Sequence, residues 1–259
     1  MIELTLIGIG TGDPGHLTQA AVAAMNDADL ILIPLKGAEK SDLAGLRRQL
    51  CDAVIAAPGP RIAEFLLPVR DAAAPDYRAG VEEWHDAIAA AWLAEIRAHL
   101  DGAGRVALLV WGDPSLYDST LRIAERLGRV LPVATRVVPG ITAIQALCAA
   151  HAIPLNEIGA PVTITTGRRL RAGGWPAGSD RLVVMLDGDC AFAGLDPDGV
   201  EIWWGAFLGM KEQILLAGPL AEAGPDILAT RQAARARHGW IMDIYLLHRA
   251  PRQRVDPAA

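Results

Sequence analysis

The first eighteen residues, MIELTLIGIGTGDPGHLT, constrain the fold more than any other stretch. Ile2, Leu4, Leu6, Ile7 and Ile9 form an apolar, partly β-branched run that stops at Gly10-Thr11-Gly12-Asp13-Pro14-Gly15. An alanine-rich helical pattern follows from Leu17 to Asn26. The reading is strand, tight loop, helix. In open α/β sheets ligands bind beyond the carboxyl ends of the strands, which makes this loop the first candidate site.

The same unit recurs twice. Arg105 to Trp111 is almost continuously apolar, as a central parallel strand requires, and ends in Gly112-Asp113-Pro114-Ser115 before a helix carrying Leu121, Ile123, Ala124 and Leu127. Thr135 to Val138 then leads through Pro139-Gly140-Ile141-Thr142-Ala143 into a small-residue helix reaching His151. Three such loops are expected to converge on one crevice. A second strand, Leu30 to Ile33, runs into Pro34-Leu35-Lys36. Ser41 is a good N-cap for a helix with Leu43, Leu46 and Leu50 on one face and Arg47 and Arg48 beside it. After an extended stretch from Ile62 to Val69, a long helix is predicted from Pro75 to Leu100. Its buried stripe is Tyr77, Val81, Trp84, Ile88, Trp92 and Ile96, with His85 and His99 alongside rather than on a metal.

The chain changes character at Ile153-Pro154-Leu155, a linker on this reading. Strand candidates follow at Val162 to Thr166, Leu182 to Leu186, Glu201 to Phe207, Gln213 to Ala217 and Trp240 to His248, with fewer long helices between them. The expectation is therefore an α/β protein of two α/β domains, 1–151 and 152–259, with a frayed tail from Pro251. Thr166-Gly167-Arg168-Arg169 with Arg171 is the densest basic cluster, and guanidinium forks of this kind match carboxylates. Lys36, Lys40, Arg47 and Arg48 form a second electropositive candidate near the strand ends.

Composition removes several function classes. A net charge of −6 disfavours a general nucleic-acid surface. The mean hydropathy is +0.26, yet charge, Pro or Gly breaks each apolar run before the roughly 18 residues of a spanning helix, so no membrane role is expected. The first strand begins without a basic segment, apolar segment and cleavage site, which points to the cytoplasm. Cys51, Cys148 and Cys190 are odd in number and widely spaced, consistent with buried, reduced thiols and no zinc site. Gly10, Gly12 and Gly15 formally match a dinucleotide fingerprint, but Pro14 interrupts it, and the acidic residue expected about twenty positions on is missing. No Gly-Lys-Ser/Thr follows either.

Taken in order, these motifs resemble those of the tetrapyrrole (corrin/porphyrin) methyltransferase family. Gly8 to Thr18 resembles its GxGxGD loop with the following LT, and Trp111-Gly112-Asp113-Pro114 its GGDP loop. Val138 to Ala143 resembles its VPGxTS/TA loop, followed by the IPL of Ile153 to Leu155. Thr166-Gly167-Arg168 is similar to its TGH element, Leu182 to Leu186 to its methionine-bearing strand, and Gly218-Pro219-Leu220 to its closing GTL. The departures are Thr11 where proline is common, Trp111 for the first glycine of GGDP, and Arg168 for histidine.

The resemblance implies a kidney-shaped pair of α/β domains with an interdomain cleft, a homodimer, and S-adenosylmethionine as cofactor. By position it implies cofactor contacts at Gly10, Pro14, Gly112, Asp113, Leu116, Thr142, Ala143, Leu186, Ala206, Gly218 and Pro219. Leu186 falls where the family has a cofactor-touching methionine; Met185, one residue earlier, would face the other way. The long segment before the second loop, with Pro34-Leu35-Lys36-Gly37 and Lys40-Ser41-Asp42-Leu43, is similar to the subgroup that methylates C-1 of precorrin-5 and releases acetate to give precorrin-6A. Substrate carboxylates would then meet Lys36, Arg47, Arg168, Arg169 and Arg171. Asp113 and Tyr117 are the candidates for proton transfer. The alternatives are another precorrin-ring methyltransferase, a relative acting on RNA or protein, a nicotinamide oxidoreductase, or a non-catalytic nucleotide-type ligand-binding protein.

Overall fold

The computed structural model describes residues 1–35, 41–70 and 77–249, so Lys36, Lys40 and the tail from Pro251 lie outside the described residues. The chain divides into two compact units, Met1–Thr142 and Ala143–Ala259.

In the first unit five strands, β1 (Ile2–Gly8), β2 (Leu30–Leu35), β3 (Arg61–Leu66), β4 (Gly104–Val110) and β5 (Val133–Val138), form a parallel sheet in the order β3-β2-β4-β1-β5. Alternate residues of the central strands feed two different apolar layers. Leu4, Leu6, Leu32, Val106, Leu108 and Val110 pack with Ile88, Trp92 and Ile96 of α3 (Tyr77–His99) and with Ile123 and Leu127 of α4 (Thr120–Leu127). Ile7, Ile9, Ile31, Ile33, Ala107 and Leu109 pack with Ala21 and Met25 of α1 (Gln19–Asp27) and with Leu50 and Cys51 of α2 (Ser41–Val54). Each fully buried Leu or Ile stabilises this three-layer arrangement by roughly 1.5–3 kcal/mol. Thr18 caps α1 by accepting the Ala21 N–H at 3.0 Å, which fixes where the opening loop ends.

The sheet opens at one place. Strand β2 pairs with β3 through Leu35 but with β4 only over Leu30–Leu32. Beyond that point the Leu109 carbonyl, on the side of β4 away from β1, has no strand partner among the described residues, and the Arg47 Nε–H of α2 donates to it at 3.0 Å.

The second unit carries β6 (Val162–Thr166), β7 (Arg181–Met185), β8 (Val200–Ala206), β9 (Ile214–Pro219) and β10 (Asp243–Arg249) in the order β6-β7-β10-β8-β9. It is mixed: β6 and β7 are parallel, whereas β10 is antiparallel to β7 and β8, and β9 to β8. Its described residues include the α-helices α5 (Ala143–His151), α6 (Gly167–Gly173) and α7 (Leu220–His238). The expected division after residue 151 moves to 142/143, because α5 packs on β8 and β10 and His151 Nε2 lies 3.0 Å from the Trp204 carbonyl. Sequence periodicity missed α7, whose Gly224-Pro225 pair removes a backbone donor and mimics a break. Ile153-Pro154-Leu155 is no free linker either. The buried Arg181 donates to the carbonyls of Pro154 at 2.7 Å and Leu155 at 3.3 Å. Among the described residues no helix is long and apolar enough to cross a membrane.

Candidate functional site

The three expected loops leave adjacent strands, β4, β1 and β5, at their carboxyl ends, and the first two meet through their backbones. Ile9 N–H donates to the Val110 carbonyl at 2.9 Å, and Gly10 and Gly112 exchange N–H to carbonyl bonds of 3.4 and 2.7 Å. Gly112 takes a left-handed φ of 61° to do so. A methyl on Gly8 would lie 2.5 Å from the Gly140 nitrogen, and one on Gly140 would lie 2.1 Å from the Gly112 carbonyl oxygen. These glycines are required by close approach of three chains.

Asp113 ties the second loop to the third. Its Oδ2 accepts the Gly140 N–H at 2.9 Å, and its Oδ1 accepts the Ser115 N–H at 2.8 Å and the Ser115 hydroxyl at 2.5 Å. Burial pushes its pKa up, but the bonds from Ser115 and Gly140 outweigh burial and hold the carboxyl below the usual carboxylate range. An ionised carboxylate with both oxygens engaged serves here as a tether. In the opening loop Thr11 Oγ1 lies 3.0 Å from His16 Nδ1, and Pro14 is exposed on a short 3-10 turn whose cap, Asp13, accepts the Gly15 N–H at 2.7 Å. Leu116 is half-buried, and Tyr117 is exposed in a left-handed conformation with φ 49°. Thr142 closes the group, its Cα 3.6 Å from where a Gly112 methyl would sit.

In the second unit, Leu186 follows β7 with φ 51° and is 67% exposed. Ala143 and Gly218 are half-buried, Pro219 is exposed and Ala206 is wholly buried. The expected basic cluster divides. Arg168 and Arg169 are exposed at the start of α6, whereas Arg171 is committed to Asp187 at 3.2 Å and Asp189 at 2.7 Å. Arg171 is exposed as well, but its guanidinium bridges the buried Asp187 and the exposed Asp189, so two carboxylates of this unit already engage it. Arg47, expected on an electropositive rim, is instead buried: it donates to the Leu109 and Leu43 carbonyls and stacks 5.0 Å from the Trp111 ring centroid. Burial pushes its pKa down to about 10, with Asp118 opposing that shift. Lys36 lies outside the described residues.

The sequence reading missed a buried polar hub on the second sheet. Asp187 Oδ2 accepts the Tyr245 hydroxyl and the Ala191 N–H, each at 2.6 Å, and Asp243 Oδ2 accepts Arg231 Nε at 2.8 Å and Trp204 Nε1 at 3.0 Å. Burial, then the bond to Asp187, raises the Tyr245 pKa far above its ordinary value, so the phenol is the donor. Asp187-Gly188-Asp189 reads locally as a turn, and nothing near it in sequence announces Tyr245.

The family model described as Tetrapyrrole (Corrin/Porphyrin) Methylases matches residues 3–224. A precorrin-6A synthase [deacetylating] from Sinorhizobium sp is 48% identical over 252 residues, 96% of each chain. A solved structure of a putative cobalamin synthesis related protein (CobF) from Corynebacterium diphtheriae is 41% identical, covers 96% of this chain and 98% of its own, and superposes with a TM-score of 0.82. A uroporphyrin-III C-methyl transferase from Thermus thermophilus, solved with S-adenyl homocysteine, shares the fold at a TM-score of 0.57 and 21% identity, covering 95% of this chain and 97% of its own.

Proposed function

The chain belongs to the tetrapyrrole (corrin/porphyrin) methylase family, and from that premise we propose that it transfers a methyl group from S-adenosylmethionine to C-1 of precorrin-5, leaving S-adenosylhomocysteine, while water cleaves the extruded acetyl group as acetate to give precorrin-6A. The observation that carries this reading is the 48% identity to a deacetylating precorrin-6A synthase over 96% of both chains. A second relative, a precorrin-2 C(20)-methyltransferase from Sinorhizobium sp, reaches 32% identity over only 59% of this chain. The likeness therefore favours the deacetylating reaction. On the same reading the protein works in the cytoplasm as a homodimer, without nucleic acid, and sedimentation of the purified chain checks the stoichiometry.

The first unit fits such a cofactor in kind. Gly8, Gly112 and Gly140 let the three strand-end loops converge, and the ionised Asp113 sets a fixed negative charge among them, favourable to a sulfonium cation. We assign Gly10, Pro14, Gly112, Asp113, Leu116 and Thr142 of this unit to cofactor binding, and Ala143, Leu186, Ala206, Gly218 and Pro219 of the second. When bound, S-adenosylmethionine supplies an already activated methyl group. The protein's share is then orientation, a class of effect worth on the order of 7–11 kcal/mol. Asp113 contributes by fixing the second loop against the third. Tyr117, a partly exposed residue on a left-handed backbone, is the candidate for moving the proton that accompanies acetate release. Arg168 and Arg169 remain the proposed partners of substrate carboxylates.

Incubation with precorrin-5 and methyl-labelled S-adenosylmethionine tests the reading, with ring methylation and acetate scored separately. Both are expected in equal amounts. Methylation without acetate, or turnover of precorrin-2 instead, overturns it.

A further inference from the structure

Leu186 is an unusual residue in an unusual place. It is a γ-branched apolar side chain, two-thirds exposed, on a left-handed backbone directly after a buried strand. Non-glycine residues hold that conformation only where the surroundings impose it, and such residues cluster at ligand clamps. The surroundings here belong to Asp187. Its carbonyl accepts Arg231 Nη2 at 3.1 Å, and its carboxylate accepts Tyr245, Ala191, Asp189 and Arg171. With 6% exposure, Asp187 is anchored on both its main chain and its side chain. The same carboxylate sets the neighbouring loop. A methyl on Gly167 would lie 2.1 Å from Asp187 Oδ1, so the turn that carries Arg168 and Arg169 is packed onto it with no room for a side chain. Thr166 then caps α6 by accepting the Arg169 N–H at 3.4 Å.

We infer that Asp187 is a positioning residue for methyl transfer: through one buried carboxylate it presets both the Leu186 side chain and the Arg168–Arg169 turn for their ligands. The inference rests on the reading above, in which Leu186 meets the cofactor and the arginines the substrate. Arg231 and Tyr245 extend the device into α7 and β10, and Phe192, edge-on to Tyr245 at 5.2 Å, fixes the phenol from the other side.

Tyr245→Phe keeps the ring and deletes one donor; Leu186→Gly deletes the presented side chain and accepts the left-handed backbone without strain. With the full-length protein, S-adenosylmethionine affinity is measured by calorimetry for both variants and their double variant, alongside the urea midpoint and the kcat and KM for precorrin-5. Tyr245→Phe is expected to weaken cofactor binding about tenfold in the parent and hardly at all in the Leu186→Gly background, while the urea midpoint falls alike in both. Gly167→Ala is expected to raise the precorrin-5 KM more than it weakens the cofactor; Arg171→Gln, which removes a half-exposed partner of the same carboxylate and is expected to weaken cofactor binding in the same Leu186-dependent way, carries the test should Tyr245→Phe fail to fold. Additive losses of cofactor affinity, or a lowered urea midpoint with unchanged affinity and KM, overturn the positioning role and leave the proposed reaction standing. A parent protein that neither binds S-adenosylmethionine nor methylates precorrin-5 overturns the reaction itself and the role with it.

Discussion

Replacing Gly140 by alanine probes the feature on which the first unit's loops depend. The new methyl would lie 2.1 Å from the Gly112 carbonyl oxygen, 2.7 Å from the Gly8 carbonyl carbon and 2.8 Å from Gly8 Cα. All three are backbone atoms of neighbouring strand ends, so no rotamer change relieves the clash. Overpacking of this kind costs about 1–3 kcal/mol. Moving Gly140 away also stretches its N–H from the Asp113 carboxylate, a charge-assisted bond worth about 1.5–3 kcal/mol. Because one displacement causes both losses, the expected destabilisation is about 3–5 kcal/mol, a large part of the roughly 5–15 kcal/mol that holds a typical fold. Urea unfolding followed by fluorescence measures it, and calorimetry measures the accompanying loss of S-adenosylmethionine affinity. Gly45→Ala is the control: among the described residues nothing beyond its own helix backbone and chain neighbours lies within 4 Å of its new methyl, and alanine inside α2 should stabilise by about 0.5–1 kcal/mol. If Gly140→Ala unfolds within about 0.5 kcal/mol of the parent, as an ordinary surface substitution would, the close approach of the three loops is refuted.

Arg47→Met should destabilise the fold by about 1–3 kcal/mol, by leaving the Leu109 carbonyl without a donor, and should leave the precorrin-5 KM unchanged. A raised KM at unchanged urea midpoint would restore Arg47 as a substrate contact. Arg168→Ala should raise the precorrin-5 KM far more than the cofactor dissociation constant; equal effects would remove its substrate role. His85 is 2% exposed, and neither ring nitrogen finds a hydrogen-bond partner among the described residues. Burial, then Arg126, lowers its pKa below the ordinary 6.5; Arg122 acts the same way, while Glu82 and Asp86 oppose them. The unfolded chain therefore takes up a proton near pH 6.5 that the folded chain refuses, so stability is full above that pH and falls as pH drops from there toward the folded pKa. His85→Leu should flatten that slope in urea midpoints taken between about pH 7 and pH 5, and an unchanged slope would assign it to other groups.

Local pattern carried much of the architecture. Continuous apolar runs at β1 and β4 announced central parallel strands, and the stripe through Ile88, Trp92 and Ile96 announced α3, because burial on a strand or helix repeats with that element's own period. The glycines of the three loops were legible for a similar reason: a residue that needs a left-handed backbone or close chain approach has one usual solution. The ordered motifs also carried the family, which the match over residues 3–224 bears out. Helix α7 was not legible, since its Gly-Pro pair erases the signal that packing on β8 and β9 supplies.

What the tertiary structure decided was the partnership of polar groups far apart in the chain. Arg47 reads as a surface cation next to Arg48, yet the opening of the sheet beside β4 draws it inward to a carbonyl 62 residues away. Asp187 reads as a turn residue, yet the order β7-β10-β8 brings Tyr245 to it from 58 residues away. Sequence by itself determined the central buried strands, the amphipathic α3 and the glycine loops, because hydrophobic periodicity and backbone sterics act locally. Which charges would face a ligand and which would hold the fold together depended on strand order and register, and those are set only when the sheets assemble.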